Sequence, residues 1–203
     1  SSGRAILGTL DNGKITLEEI HRFSNDPVEV NGHFYWDALR LFFEIKQGIL
    51  KCSSLGHKDI AAIGIDTWGV DFGLIDKDGE LLANPYHYRD AKVENMEETC
   101  VELGKEDIYE KTGLQFLAFN TLYQLRNLKK TKPELLDRAE HLLLMPDLFN
   151  YFLTGKLAAE YSNVSTTQLL NPNKGEWEFS LTDKLGIDRK LFSNIVDSGT
   201  VLG

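Results

Sequence analysis

A few polar clusters carry the residue types that could do chemistry. Asp66-Thr67-Trp68-Gly69-Val70-Asp71 closes an apolar run, Ile60 to Thr67, that reads as a strand buried on both faces. Ligands of open α/β sheets gather beyond the carboxyl ends of strands, so carboxylates, an indole and a glycine there suit a small-molecule site. Gly69 would let backbone approach a ligand closely. The same residues also suit a tight turn, with Asp66 capping nearby amides and Trp68 in the core. A second cluster, Tyr86-His87-Tyr88-Arg89-Asp90, stands where an extended segment meets a helix. Arg89 and Asp90 have the donors and acceptors to hold vicinal hydroxyls between tyrosine walls. The alternative is a helix start, with Asp90 as its cap and Arg89 in solvent. Ser1-Ser2-Gly3-Arg4, ahead of the first strand, offers small hydroxyl residues and a glycine whose N–H groups suit phosphate. Ser-Ser-Gly is equally a common cloning scar. The polar run Glu160 to Thr167 reads as a loop whose side chains bond nearby backbone.

The elements that must position these clusters follow from pattern. Arg4 to Leu10 and Lys14 to Phe23 flank the turn residues Asp11-Asn12-Gly13, a β-hairpin signal. Asn25-Asp26-Pro27 breaks that pattern, and Trp36 to Leu50 carries apolar residues at helical spacing, with Gly56 ending the region. Val70 to Ile75, the turn Asp76-Lys77-Asp78-Gly79 and Leu82 to Tyr88 read as extended. Helices are expected over Lys92–Leu103, Asp107–Lys111 and Thr121–Lys130, with Gly104 and Gly113 as stops. Pro133 suits the first turn of a further helix. His141 to Met145 is a second buried strand, and Pro146 opens a helix that Gly155 closes. Strands alternating with helices make this an α/β domain.

Composition narrows the function. The 203 residues carry 22 basic and 31 acidic side chains, a formal charge of −9 that disfavours nucleic acid or an anionic membrane as partner. Five histidines and two well-separated cysteines show no metal-ligand spacing, and no metal site is expected. With only Cys52 and Cys100, a reducing cytoplasm is the expected compartment. No nucleophile elbow, Walker lysine loop or Gly-x-Gly-x-x-Gly turn is present. The residues alone define a polar site at strand ends, and no reaction.

Longer motifs go further. Ile63 to Phe72, Tyr88-Arg89-Asp90, Ile108 to Phe116, Phe119 to Leu125, Leu143 to Asp147 with Leu153-Thr154-Gly155, and Glu160 to Leu169 occur in this order. Together they resemble the amino-terminal half of sugar kinases of the FGGY family across essentially the whole chain. The resemblance implies an actin-like, ribonuclease H-like ATPase domain, a mixed β-sheet flanked by helices. It implies phosphoryl transfer from ATP, with Mg2+, to the C1 hydroxyl of a ketose, L-rhamnulose. Ser1, Ser2, Gly3 and Arg4 would be the tail of a loop that touches ATP phosphates, its preceding strand lying outside this chain. Gly69, with Trp68 and Asp71, would belong to the sugar pocket, and Arg89 and Asp90 would contact sugar hydroxyls. No acidic residue here matches the catalytic base, and Asp66 matches a structural or metal-adjacent position. The base and most of the adenosine site would lie in a carboxy-terminal domain, the partner of residues 1–203. A non-catalytic sugar-sensing module, or a kinase of fuculose or xylulose, is the alternative expectation.

Overall fold

In a computed structural model, which describes residues 1–203 apart from the side chain of Val93, the chain opens on the expected hairpin. Strands β1 (Ser2–Asp11) and β2 (Lys14–Ser24) pair antiparallel. Asn12 and Gly13 join them at φ 48° and 78°, the positive values that a two-residue turn matched to strand twist demands. A shorter hairpin that periodicity does not announce follows, β3 (Val28–Val30) and β4 (His33–Tyr35). Helix α1 (Ala38–Ser54) is started by Asp37, whose carboxylate accepts the Arg40 N–H at 3.1 Å.

The run Ile60 to Thr67 departs from expectation. It forms no strand, and among the described residues no backbone hydrogen bond joins Ile60–Asp66 to another segment. Ile60 and Ile63 are 42% and 55% exposed instead of buried. A strand exists through its neighbours, and this β-prone run has a ladder partner on neither side. Ile65 alone of its isoleucines packs inward, with Trp68, against the core beneath α1.

Strand β5 (Phe72–Asp76) comes next, closed by a turn in which Asp76 Oδ1 accepts the N–H groups of Asp78 and Glu80 at 2.9 Å. The expected extended segment Leu82 to Tyr88 is no strand: among the described residues it makes one isolated bridge, Tyr86–Tyr35, with a second just ahead of it at Leu81–Ile75. A 3-10 turn covers Tyr88–Asp90. Helices α2 (Val93–Leu103), α3 (Lys105–Thr112), α4 (Thr121–Thr131) and α5 (Pro133–Arg138) fall where the pattern placed helices. Strand β6 (Ala139–Leu144) leads directly into α6 (Met145–Thr154), which ends at Gly155 with φ 69°. Then come β7 (Ala159–Glu160), α7 (Tyr161–Val164), β8 (Leu170–Asn171), β9 (Glu176–Trp177), α8 (Phe179–Lys184) and β10 (Ile195–Val196). The turn of helix in α7 replaces part of the expected loop, because the Glu160 carboxylate caps the N–H groups of Ser162 and Asn163 at 3.0 Å.

The antiparallel β5–β6 ladder is the middle layer. Leu74, Leu142 and Leu144 enter one core with Ile108 of α3 and Leu122 and Leu125 of α4. Ile75 and Leu143 point the other way, against Ala38 and Leu41 of α1 and Leu148 and Phe149 of α6. Helices therefore cover both faces, the α/β layering expected. The strands form five two-stranded ladders, of which β7–β10 is parallel. They do not make one continuous mixed sheet: with Ile60–Thr67 unpaired, no ladder joins β1–β2 to β5–β6 among the described residues. No helix among them is long and apolar enough to cross a membrane.

Candidate functional site

The site is built around one buried carboxylate. Asp71, directly before β5, is 0% exposed. Its Oδ2 accepts Trp36 Nε1–H at 2.6 Å, Trp68 Nε1–H at 2.9 Å and the Tyr88 N–H at 3.1 Å. Its Oδ1 accepts Gln124 Nε2–H at 2.9 Å. Burial pushes the Asp71 carboxyl up to about 6, against the lowering effect of those hydrogen bonds. Asp71 thus gathers the β4–α1 junction, the segment before β5, the 3-10 turn and the first turns of α4.

The gathered side chains make an aromatic wall. Trp36 and Trp68 lie with ring centroids 4.0 Å apart, Trp36 and His87 4.1 Å, and His87 and Tyr88 4.3 Å. Phe119 meets Tyr88 edge-on at 5.9 Å. His87 Nδ1 accepts the Arg89 N–H at 2.9 Å, and burial holds the imidazole below its ordinary pKa, with the Arg89 charge adding to this. The ring is therefore a neutral packing element and not a proton donor to solvent.

The expected site residues fall into three groups. Trp68, Asp71 and Tyr88 are brought together, but Asp71 is corrected from sugar contact to internal anchor. It is sealed from solvent, and four protein donors occupy its oxygens. Asp90 is likewise engaged within the fold. Its Oδ1 accepts the Phe34 N–H and its Oδ2 faces His33 Nδ1, both at 3.0 Å, tying the 3-10 turn to β4. Arg89 is exposed, its guanidinium carbon 5.8 Å above the Tyr88 ring centre. Asp66 is exposed and forms no hydrogen bond among the described residues, so the amide-capping alternative does not hold.

Gly69 has a packing reason to be glycine. A Cβ there would meet Oγ1, Cγ2 and Cβ of Thr166 at 2.7, 2.8 and 2.9 Å. Thr166 already fills the side-chain space, so a larger residue at 69 would strain that packing whether or not a sugar binds.

Ser1-Ser2-Gly3-Arg4 does not stand as a loop ahead of the hairpin. Ser2, Gly3 and Arg4 are already in β1, opposite Ser24, Phe23 and Arg22. The reason is cross-strand packing: the Phe23 ring lies on Gly3, where a Cβ would come within 2.1 Å of it. Gly3→Ala is expected to destabilise the hairpin by about 1–3 kcal/mol, the usual cost of overpacking. Phe23→Leu in the same chain should recover part of that loss. A double-mutant cycle by thermal melting tests this, and strictly additive effects would refute the contact.

Trp36, Thr121, Gln124 and Thr166 are the site residues that sequence reading passes over. They lie 35, 51, 53 and 96 positions from the residues they hold. No local pattern announces such pairs. Among the described residues, no group of three or more His, Cys, Asp or Glu is placed to hold a metal ion.

Helices on both faces of a central ladder, with the polar site at the start of β5, make this an α/β fold, and its likeness to solved sugar kinases makes it the actin-like, ribonuclease H-like one. It superposes on the ligand-bound xylulose kinase of Lactobacillus acidophilus with a TM-score of 0.89, at 22% identity, over 100% of this chain and 41% of that one. For the xylulose kinase of Rhodospirillum rubrum the TM-score is 0.84 at 18% identity, over 100% of this chain and 42% of that one. The chain belongs to the FGGY family of carbohydrate kinases, whose N-terminal domain matches residues 4–203. It is 47% identical to a rhamnulokinase of Pectobacterium atrosepticum, covering 100% of this chain and 41% of that protein. To a rhamnulokinase of Oceanobacillus iheyensis it is 43% identical, over 100% of this chain and 43% of the relative. The chain therefore spans about two fifths of the length of these relatives.

Proposed function

We propose that the protein carrying this chain is an ATP-dependent L-rhamnulose kinase, working in the cytoplasm, and that residues 1–203 are its sugar-binding half. The observation that carries this reading is the 43–47% identity to rhamnulokinases along the whole chain. The γ-phosphoryl group of ATP would pass to the C1 hydroxyl of the ketose while a carboxylate accepts the hydroxyl proton. Asp71 and Asp90 are committed to internal hydrogen bonds, and the family resemblance puts that base in a carboxy-terminal domain closing over this one. The unpaired, half-apolar run Ile60–Thr67 supports a further strand beside it, the one expected ahead of Ser1. Ser1 to Arg4, which run into β1 just after such a strand, would form the nucleotide edge. Among the described residues no group of three or more His, Cys, Asp or Glu is placed to hold Mg2+ by itself, and the ion would be carried largely by the ATP phosphates.

Within this half the sugar is proposed to lie on the Trp68–Tyr88 wall, with Arg89 donating to its hydroxyls. In the full-length protein, L-rhamnulose should be phosphorylated in preference to xylulose, fuculose, gluconate and glycerol. Faster turnover of any of these would reassign the substrate, and no turnover of any would favour a sensing role. Arg89→Ala is expected to raise the ketose KM about tenfold, the worth of one good hydroxyl contact. Because Arg89 is exposed, the melting temperature should stay within about 2 °C. An unchanged KM would remove Arg89 from the sugar site.

A further inference from the structure

Val70, between Gly69 and Asp71, has φ 68°. The Asp71 N–H bonds to the Gly69 carbonyl at 2.9 Å across it, closing a three-residue γ-turn. The positive-φ form of this turn is rare and strained, and a β-branched residue tolerates positive φ worst. Such a conformation persists only where its surroundings over-determine it. Here Thr166 and Thr121 do so, with Gln124 Nε2 as a longer third contact, donating to the Val70 carbonyl at 3.4 Å. The Thr166 hydroxyl accepts the Val70 N–H at 3.0 Å and donates to the Asn163 carbonyl at 2.7 Å, which fixes its own direction. From α4, Thr121 Oγ1–H donates to the Val70 carbonyl at 2.7 Å.

Thr166 is itself anchored on a stitched loop. The Leu122 N–H bonds to the Thr167 carbonyl at 3.1 Å, and Asn120 Nδ2 donates to Gln168 Oε1 at 3.0 Å. The turn it holds has Trp68 on one side and Asp71 on the other, and Thr166 also packs on Gly69. We propose that Thr166 is a positioning residue for sugar binding: its hydroxyl clamps Val70 in the strained turn, so that Trp68 and the Gly69 peptide present a fixed face to the ketose. Thr166 itself does not touch the sugar. The proposal rests on the sugar-kinase reading above, although the turn it describes does not.

The test uses the full-length protein with Thr166→Val, which keeps the shape and removes the hydroxyl, and Thr166→Ser, which keeps the hydroxyl. Thr166→Val should raise the KM for L-rhamnulose about tenfold and leave the KM for ATP within about twofold. It should also weaken the near-UV circular dichroism of the stacked Trp36–Trp68 pair, with the far-UV spectrum unchanged. Thr166→Ser should restore both. A folded Thr166→Val with wild-type ketose KM and wild-type near-UV signal overturns the proposal, as does failure of Thr166→Ser to differ from it. If Thr166→Val does not fold, Thr121→Val releases the carbonyl side of the same turn and must reproduce the ketose KM increase. If the unmodified protein phosphorylates no ketose, the kinase reading fails, while the near-UV comparison still decides the clamp.

Discussion

Asp71→Ala is expected to lower the melting temperature by about 10 °C and to abolish the near-UV signature of the paired indoles. The substitution takes the acceptor from four donors: the buried Trp36 indole N–H, and the half-buried Trp68 indole, Tyr88 amide and Gln124 amide, of which Gln124 keeps the Phe119 carbonyl at 2.8 Å. Each orphaned buried donor costs about 1–3 kcal/mol if nothing replaces the lost partner. Water admitted to the small cavity will satisfy some of them, so about 3–5 kcal/mol is the expected total. At about 2–4 °C per kcal/mol for a chain of this size, that gives the shift stated. Asp71→Asn is the control for shape. Its single carbonyl oxygen can still serve the three donors on the Oδ2 side, but its amide then faces the Gln124 amide, so an intermediate loss of about 1–2 kcal/mol is expected. A melting temperature for Asp71→Ala within about 2 °C of wild type would mean that Asp71 does not organise the wall.

That anchor also shows why the sequence was readable in some places and silent in others. Hairpin β1–β2 was legible because Asn12-Gly13 is a local signal, and helices α2 to α6 because Gly104, Gly113, Pro133, Pro146 and Gly155 punctuate them. β6 was legible as a buried run, and it is buried because helices cover both of its faces. Ile60–Thr67 is just as apolar a run and fails, since a strand's burial depends on neighbours that composition does not reveal. The candidate site divides in the same way. Trp68 and Asp71 were singled out because they close an apolar run, and Tyr88 because it stands where an extended segment meets a helix, both properties of local order. That Asp71 faces Trp36 and Gln124 inside the fold, and not a ligand, is decided by contacts dozens of residues apart. The motif order carried the family, while the division of labour among its residues came from packing.

Asp147→Asn is expected to stabilise the protein, and only at higher pH. Asp147 lies in the first turn of α6 and is nearly sealed from solvent. Its two oxygens share one donor, the Glu160 N–H, at 3.2 and 3.3 Å. Burial pushes its carboxyl up to about 7, and the neighbouring Glu160 charge works in the same direction. Glu160 would itself be raised by burial, but hydrogen bonds from Ser162, Ser198 and Asn163 outweigh that and hold it ionised. In the unfolded chain Asp147 returns to about 4. The folded state therefore binds the proton more tightly than the unfolded one. The stability this confers is complete below about pH 4 and is lost as the pH climbs towards about 7. Asparagine keeps an oxygen for the Glu160 N–H and never ionises, so the variant does not suffer that loss. The gain should reach about 2–4 kcal/mol by pH 8, the worth of two to three pKa units. It should shrink to nearly nothing at pH 4, where both forms are neutral. Denaturant melts of wild type and variant across pH 4 to 8 measure the difference directly, and cancel the carboxylates the two proteins share. A constant difference across that range would show that Asp147 is ionised in the fold throughout, and that its oxygens find donors beyond Glu160.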